Sequence, residues 1–188
     1  PALKDVDMMD IIESEGVNRR DFLKWVSATT ATLMLPPMFA PLVAEATELM
    51  NRVPVIWIEL QDCAGNSEAL LRSSAPTVDD LLFDILSLEY HETLQACAGH
   101  DADRQLEEAA HLYKGKYLLF VEGAIPMAMN GQYGTIGAMG ETFHDHLIRM
   151  AKDAAAIVAV GTCATFGGVP AAAPNPTGAV GVMDIVKG

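Results

Sequence analysis

Residues 53–68 read "VPVIWIELQDCAGNSE", and the fold turns on them. Residues 53–60, "VPVIWIEL", form a short run rich in β-branched and aromatic side chains, the signature of a buried strand. A polar, glycine-containing turn follows, and "SEALLRSS" (67–74) reads as a short helix. The pattern then repeats. Pro76 precedes a helical turn opened by Thr77-Val78-Asp79-Asp80, and "FDILSLEY" (83–90) is a second strand. Residues 101–115 carry a helical stripe of Ala102, Leu106, Ala109, Ala110 and Tyr113, closed by Gly115. "KYLLFVEG" (116–123) is a third strand, residues 140–154 an amphipathic helix with Phe143, Leu147 and Met150 on one side, and "AAIVAVG" (155–161) a fourth strand. Nearly continuous apolar strands alternating with helices predict a doubly wound, parallel α/β sheet of flavodoxin-like order, 2-1-3-4-5.

In such sheets ligands bind beyond the carboxyl ends of the strands. Cys63 follows the first strand, Glu122 and Gly123 end the third, and Gly161-Thr162-Cys163 ends the fourth. The topology therefore predicts that Cys63 and Cys163 converge, whereas Cys97, in "HETLQACAGH" (91–100), follows the second strand and is not expected there. Thiolates bind soft metals and iron–sulfur clusters, and glycine-rich turns let backbone amides approach inorganic sulfide. The plainer alternative for either cysteine is a small buried hydrophobe. Glu122 is either a functional carboxylate beside the site or an ordinary solvated strand end. His91, His100, His111, His144 and His146 show no metal-binding spacing and read as structural or surface residues. Met127 and Met129 sit in a glycine-containing loop (124–137) without a dinucleotide-binding fingerprint and read as interface packing.

The 188 residues carry 12 basic and 25 acidic side chains, a formal charge of −13, which argues against nucleic acid and an anionic membrane surface as partners. Three cysteines are too few for a disulfide framework. At the N-terminus Arg19 and Arg20 precede Phe22-Leu23-Lys24, an uncharged stretch over 25–44, and Ala44-Glu45-Ala46. This predicts a twin-arginine export signal over 1–46 and a periplasmic or membrane-associated domain over 47–188. A membrane anchor is the alternative, disfavoured by Pro36, Pro37 and Pro41.

"RRDFLKW", "VPVIWIELQDCAGNSEALLRS", "SLEYHETLQACAGHDADRQLEEA", "YKGKYLLFVEGAIP", "GTCATFGGVPAAAPNPTGA" and "VMDIVKG" occur in this order. Together they resemble the small subunit of periplasmic nickel–iron hydrogenases. The resemblance implies a flavodoxin-like domain holding a proximal 4Fe–4S cluster. It also implies a large-subunit partner, which alone carries the nickel–iron centre, and a membrane or soluble electron-acceptor subunit. By position, Cys63 matches the first cluster ligand and Cys163 the third, while Asn66 stands where the second, a cysteine, is expected. The fourth ligand and a C-terminal domain with two further clusters are expected beyond Gly188. Gly65 and Gly168 occupy positions where oxygen-tolerant relatives have extra cysteines, so their six-cysteine cluster is not expected. Asp62 replaces a frequent glutamate.

Asn66 leaves several readings open: a 3Fe–4S cluster, iron ligated by Asn66 or Asp62, a water-bound iron, an empty site, or a helix N-cap ahead of Ser67. The implied function is electron transfer between a hydrogen-converting partner and an external acceptor. The alternatives are a cluster-poor scaffold that holds the large subunit and a flavin or nucleotide protein.

Overall fold

A computed structural model of the chain describes residues 52–186 and Lys24. The chain divides after Val53 into two units, and Val53 aside, the elements that follow belong to the second. The paired arginines and the rest of the export signal expected over 1–46 lie outside the described residues, apart from Lys24.

In chain order the elements are β1 (Val53–Glu59), α1 (Gly65–Leu71), the single turn α2 (Val78–Asp80), β2 (Leu86–His91), α3 (His100–Leu112), β3 (Leu118–Glu122), the short strands β4 (Ile125–Pro126), β5 (Thr135–Ile136) and β6 (Glu141–Thr142), α4 (Phe143–Ala151), β7 (Ala156–Val160), α5 (Gly161–Phe166), β8 (Ala179–Val180) and α6 (Val182–Ile185). Four strands make the main sheet in the order β2-β1-β3-β7. β1 runs parallel to β3, and β3 to β7. This is the 2-1-3-4 part of the expected flavodoxin-like order. β1 and β3 are the central strands, which is why both read as apolar runs: all of β3 is buried, and all of β1 except Glu59.

The helices bury the stripes their spacing predicts. Ala102, Leu106 and Ala109 of α3, and Leu147 and Met150 of α4, enter the core with Ile56, Ile58, Leu119 and Val121. The Thr142 hydroxyl caps α4 by accepting the Asp145 N–H. Tyr117 anchors the sheet from below by donating its hydroxyl to the Met150 carbonyl at the end of α4.

Two segments depart from the sequence reading. The second strand begins at Leu86, not 83, because residues Leu81–Ile85 form a wide helical turn. A capping box between Thr77 and Asp80 starts this helical segment, and Leu81 and Ile85, four apart, both bury completely. The chain after β3 also does not run straight into a loop. Ile125 and Pro126 pair antiparallel with Val180 and Ala179. Gly123, at φ +98°, makes this possible, since a Cβ there would lie 2.9 Å from the Gln61 nitrogen.

Candidate functional site: the carboxyl edge of the sheet

The register fixes the site. Glu59 of β1 lies opposite Glu122 of β3, and Glu122 lies opposite Val160 of β7. Cys63 follows this row on the first strand and Cys163 follows it on β7, so both cysteines belong to turns at one edge of the sheet, as the topology predicts. Cys63 is exposed, and Cys163, in the first turn of α5, is partly buried. Cys97 is not part of this edge; its thiol meets the Gln105 and Gln95 side chains beside α3.

Glu122 is the centre of the arrangement. It is fully buried, which overturns the solvated strand-end reading. Its carboxylate accepts hydrogen bonds from the Asn66 N–H (2.9 Å), the Asn66 side-chain Nδ2 (3.2 Å), the Ser67 N–H (3.1 Å), the Ser67 hydroxyl (2.6 Å) and the Trp57 indole (3.2 Å). Two of these donors are first-turn amides of α1, the groups a helix leaves unpaired. Glu122 therefore caps α1 from a neighbouring strand.

Asn66 is not the N-cap. The helix starts at Gly65, its N-cap position is Ala64 in the left-handed region (φ 55°), and no side chain of that residue caps it. Asn66 lies inside the first turn, and its amide reaches sideways to Glu122 and to the Val160 carbonyl at 3.4 Å.

More acidic groups surround this carboxylate. Ser67 Oγ also lies 3.0 Å from Glu59 Oε1. His91, stacked on Trp57 at 4.9 Å, accepts the Thr93 N–H on Nδ1, so Nε2 carries the proton and donates to Ser67 Oγ. Burial lowers the His91 pKa, against the opposing pull of the Glu59 and Glu122 carboxylates. Burial likewise pushes Asp62 up to about 6: the Ala64 N–H opposes the shift, and the Glu122 and Glu59 carboxylates add to it. Glu92 rises to about 8, again chiefly through burial, and its Oε1 is buried without a hydrogen-bond partner. The spacing of apolar residues carries no signal for Glu92 or for the Glu59–Ser67–His91 connection, because these contacts join the end of β1 and the turn after it to the end of β2.

An iron–sulfur cluster can be tested against these residues. A Cβ at position 65 would come within 3.2 Å of the Cys63 sulfur, and one at 168 within 2.8 Å of the Cys163 sulfur. Glycine keeps space at both thiols, as a cluster cradle requires. The Asn66 side-chain nitrogen is engaged with Glu122 and Val160. Among the described residues no group of three or more His, Cys, Asp or Glu could hold a metal ion.

His91 and His146 are buried, and His100 and His111 are exposed. His146 is buried against Glu141, and His144 pairs with Asp145 on the outer face of α4. A cavity of about 370 Å³ lies between α3 and the β5–β6 turn, lined by Glu107, Glu141 and Arg149, and holds no cysteine.

A family model described as the 20 kDa subunit of NADH ubiquinone oxidoreductase matches residues 63–187. The quinone-reactive Ni/Fe-hydrogenase small chain of Wolinella succinogenes is 51% identical over 169 residues, covering 90% of this chain and 48% of that one. The hydrogenase-2 small chain of Escherichia coli is 45% identical over 178 residues, covering 95% and 47%. Among solved structures, the reduced Ni-Fe-Se hydrogenase of Desulfomicrobium baculatum matches with a TM-score of 0.69 at 40% identity, covering 71% of this chain and 50% of that one. The chain thus spans about half the length of these curated relatives. It belongs to the NADH ubiquinone oxidoreductase 20 kDa subunit family, and within that family its relatives are hydrogenase small subunits.

Proposed function

We propose that this chain is the electron-transferring part of a nickel–iron hydrogenase small subunit, with Cys63 and Cys163 as thiolate ligands of an iron–sulfur cluster. The observation that carries the reading is the placement of both thiols at one sheet edge, each beside a glycine that keeps its sulfur uncrowded. A cluster bound there supplies a one-electron relay at the subunit face. The chain's own part is to hold two corners of it on short, rigid turns: α1 fixed by Glu122, and α5 continuing directly from β7.

The nickel–iron centre belongs, in this reading, to a large subunit. Exposed apolar side chains support a docking face for that partner. Phe166 (78% exposed) and Val169 (85%) lie just beyond Cys163, and Met183 (65%) lies on α6, which packs against α5. An export route through the twin-arginine pathway is part of the same proposal, resting on Arg19 and Arg20.

The test uses the whole hydrogenase. Cys163→Ala should abolish hydrogen-driven dye reduction while leaving hydrogen–deuterium exchange, which needs no electron exit from the large subunit. Dye reduction at the wild-type rate would show that Cys163 is only a packing residue.

A further inference from the structure

Asn66 stands between the two cysteine-bearing turns. Its amide carries two N–H donors, and two acceptors face it: Glu122 Oε1 at 3.2 Å and the Val160 carbonyl at 3.4 Å. Both neighbours are acceptors, so the hydrogen bonds themselves place the nitrogen, and not the amide oxygen, toward them. The backbone N–H of the same residue also donates to Glu122 Oε1, at 2.9 Å.

The amide lies directly on the backbone that precedes Cys163. A Cβ added to Gly161 would come within 2.4 Å of Asn66 Nδ2 and 2.5 Å of its Oδ1. Gly161, at φ +79°, therefore serves both its own backbone and the side chain resting on it. The residue joins three strand ends in one contact: α1 after β1, Glu122 of β3, and the β7–α5 junction.

We propose that Asn66 is a positioning residue, an amide clamp that sets the spacing between the Cys63 turn and the Cys163 turn, and not an iron ligand. The statement about cluster geometry rests on the function proposed above; the clamp itself is a property of this chain alone. The chemistry singles out asparagine. Aspartate has the same shape but would set a carboxylate against a carboxylate and a carbonyl. Cysteine offers one weak donor, and alanine none.

The test is a cycle in the complete hydrogenase, with Asn66→Asp, Asn66→Ala, Glu122→Gln and the Asn66→Asp/Glu122→Gln pair. Iron and acid-labile sulfide content, electron paramagnetic resonance under redox poise, and Tm are read for each. The clamp predicts that Asn66→Asp lowers Tm and cluster content more than Asn66→Ala. It also predicts that the loss is cut to roughly half or less when position 122 is glutamine, whose amide can donate to the new carboxylate. A ligand at 66 predicts the opposite: aspartate, an anionic oxygen donor, keeps the cluster, lowers its midpoint potential, and does so whatever stands at 122. That result, or equal losses in Asn66→Asp and Asn66→Ala without rescue, overturns the clamp. Rescue of Tm with no cluster signal from this site in any variant, wild type included, would leave the clamp standing and remove the proposed function instead.

Discussion

Ser67 donates its hydroxyl to Glu122 at 2.6 Å across 55 residues of sequence, and through that bond β3 holds the start of α1. Glu122→Ala should leave the Trp57, Asn66 and Ser67 donors facing an empty pocket and cost on the order of 3 kcal/mol. Glu122→Gln keeps the shape and one acceptor and should cost less. Urea unfolding of both variants checks the ranking; equal and negligible effects would show that water replaces the carboxylate without penalty.

Glu92 should make stability pH-dependent. Its folded-state pKa lies near 8 against an ordinary value of 4.5, mainly through burial beside Glu59 and Asp62. The folded state then holds the extra proton between these values, so this contribution is fully present below about pH 4.5 and is lost as pH rises through about 8. Glu92→Gln should flatten that part of the profile and raise stability at pH 8. Parallel profiles for the two proteins between pH 5 and 9 would contradict it.

Glu141 acts with the opposite sign. The Arg149 guanidinium holds its pKa down at about 2 through bonds of 2.9 and 2.7 Å, and His146 adds to the effect. This stabilisation is present above about pH 4.5 and is lost as pH falls toward 2. Arg149→Met should lower stability above about pH 4.5, modestly because the pair is partly solvated, change little near pH 2, and so shift acid unfolding to higher pH. An unchanged acid midpoint would show that the pair contributes nothing.

Gly168→Ala should disturb the cysteine turn. A Cβ there would lie 2.8 Å from both the Cα and the sulfur of Cys163, at a residue with φ +52°. Iron content of the isolated complex should fall together with Tm. Full loading with only a lower Tm would show that the turn yields without moving the sulfur.

The sheet order and the placement of Cys63 and Cys163 on turns at one sheet edge were legible because β1, β3 and β7 are short apolar runs, each followed by a turn, and topology alone brings their ends together. The N-cap reading of Asn66 fails because capping statistics see only the neighbouring sequence, while the acceptor that completes α1 comes from Glu122, 56 residues on. The strand expected from residue 83 failed for a similar reason. Phe83 to Ile85 carry strand-like propensity, but the Thr77–Asp80 box had already started a helical path that buries Leu81 and Ile85. Glu92 carried no local signal, since its environment is made by Glu59 and Asp62 from another strand end.

The central claim is that Cys63 and Cys163 hold iron at one edge of this sheet. It is tested most directly by Mössbauer and redox-poised electron paramagnetic resonance spectra of the complete hydrogenase carrying Cys63→Ala or Cys163→Ala. The account predicts that the signals of one and the same cluster, that of this edge, are lost or converted in both variants, with iron and acid-labile sulfide falling in step, while any clusters held elsewhere keep their spectra. Spectra and iron content identical to wild type in both variants would contradict it.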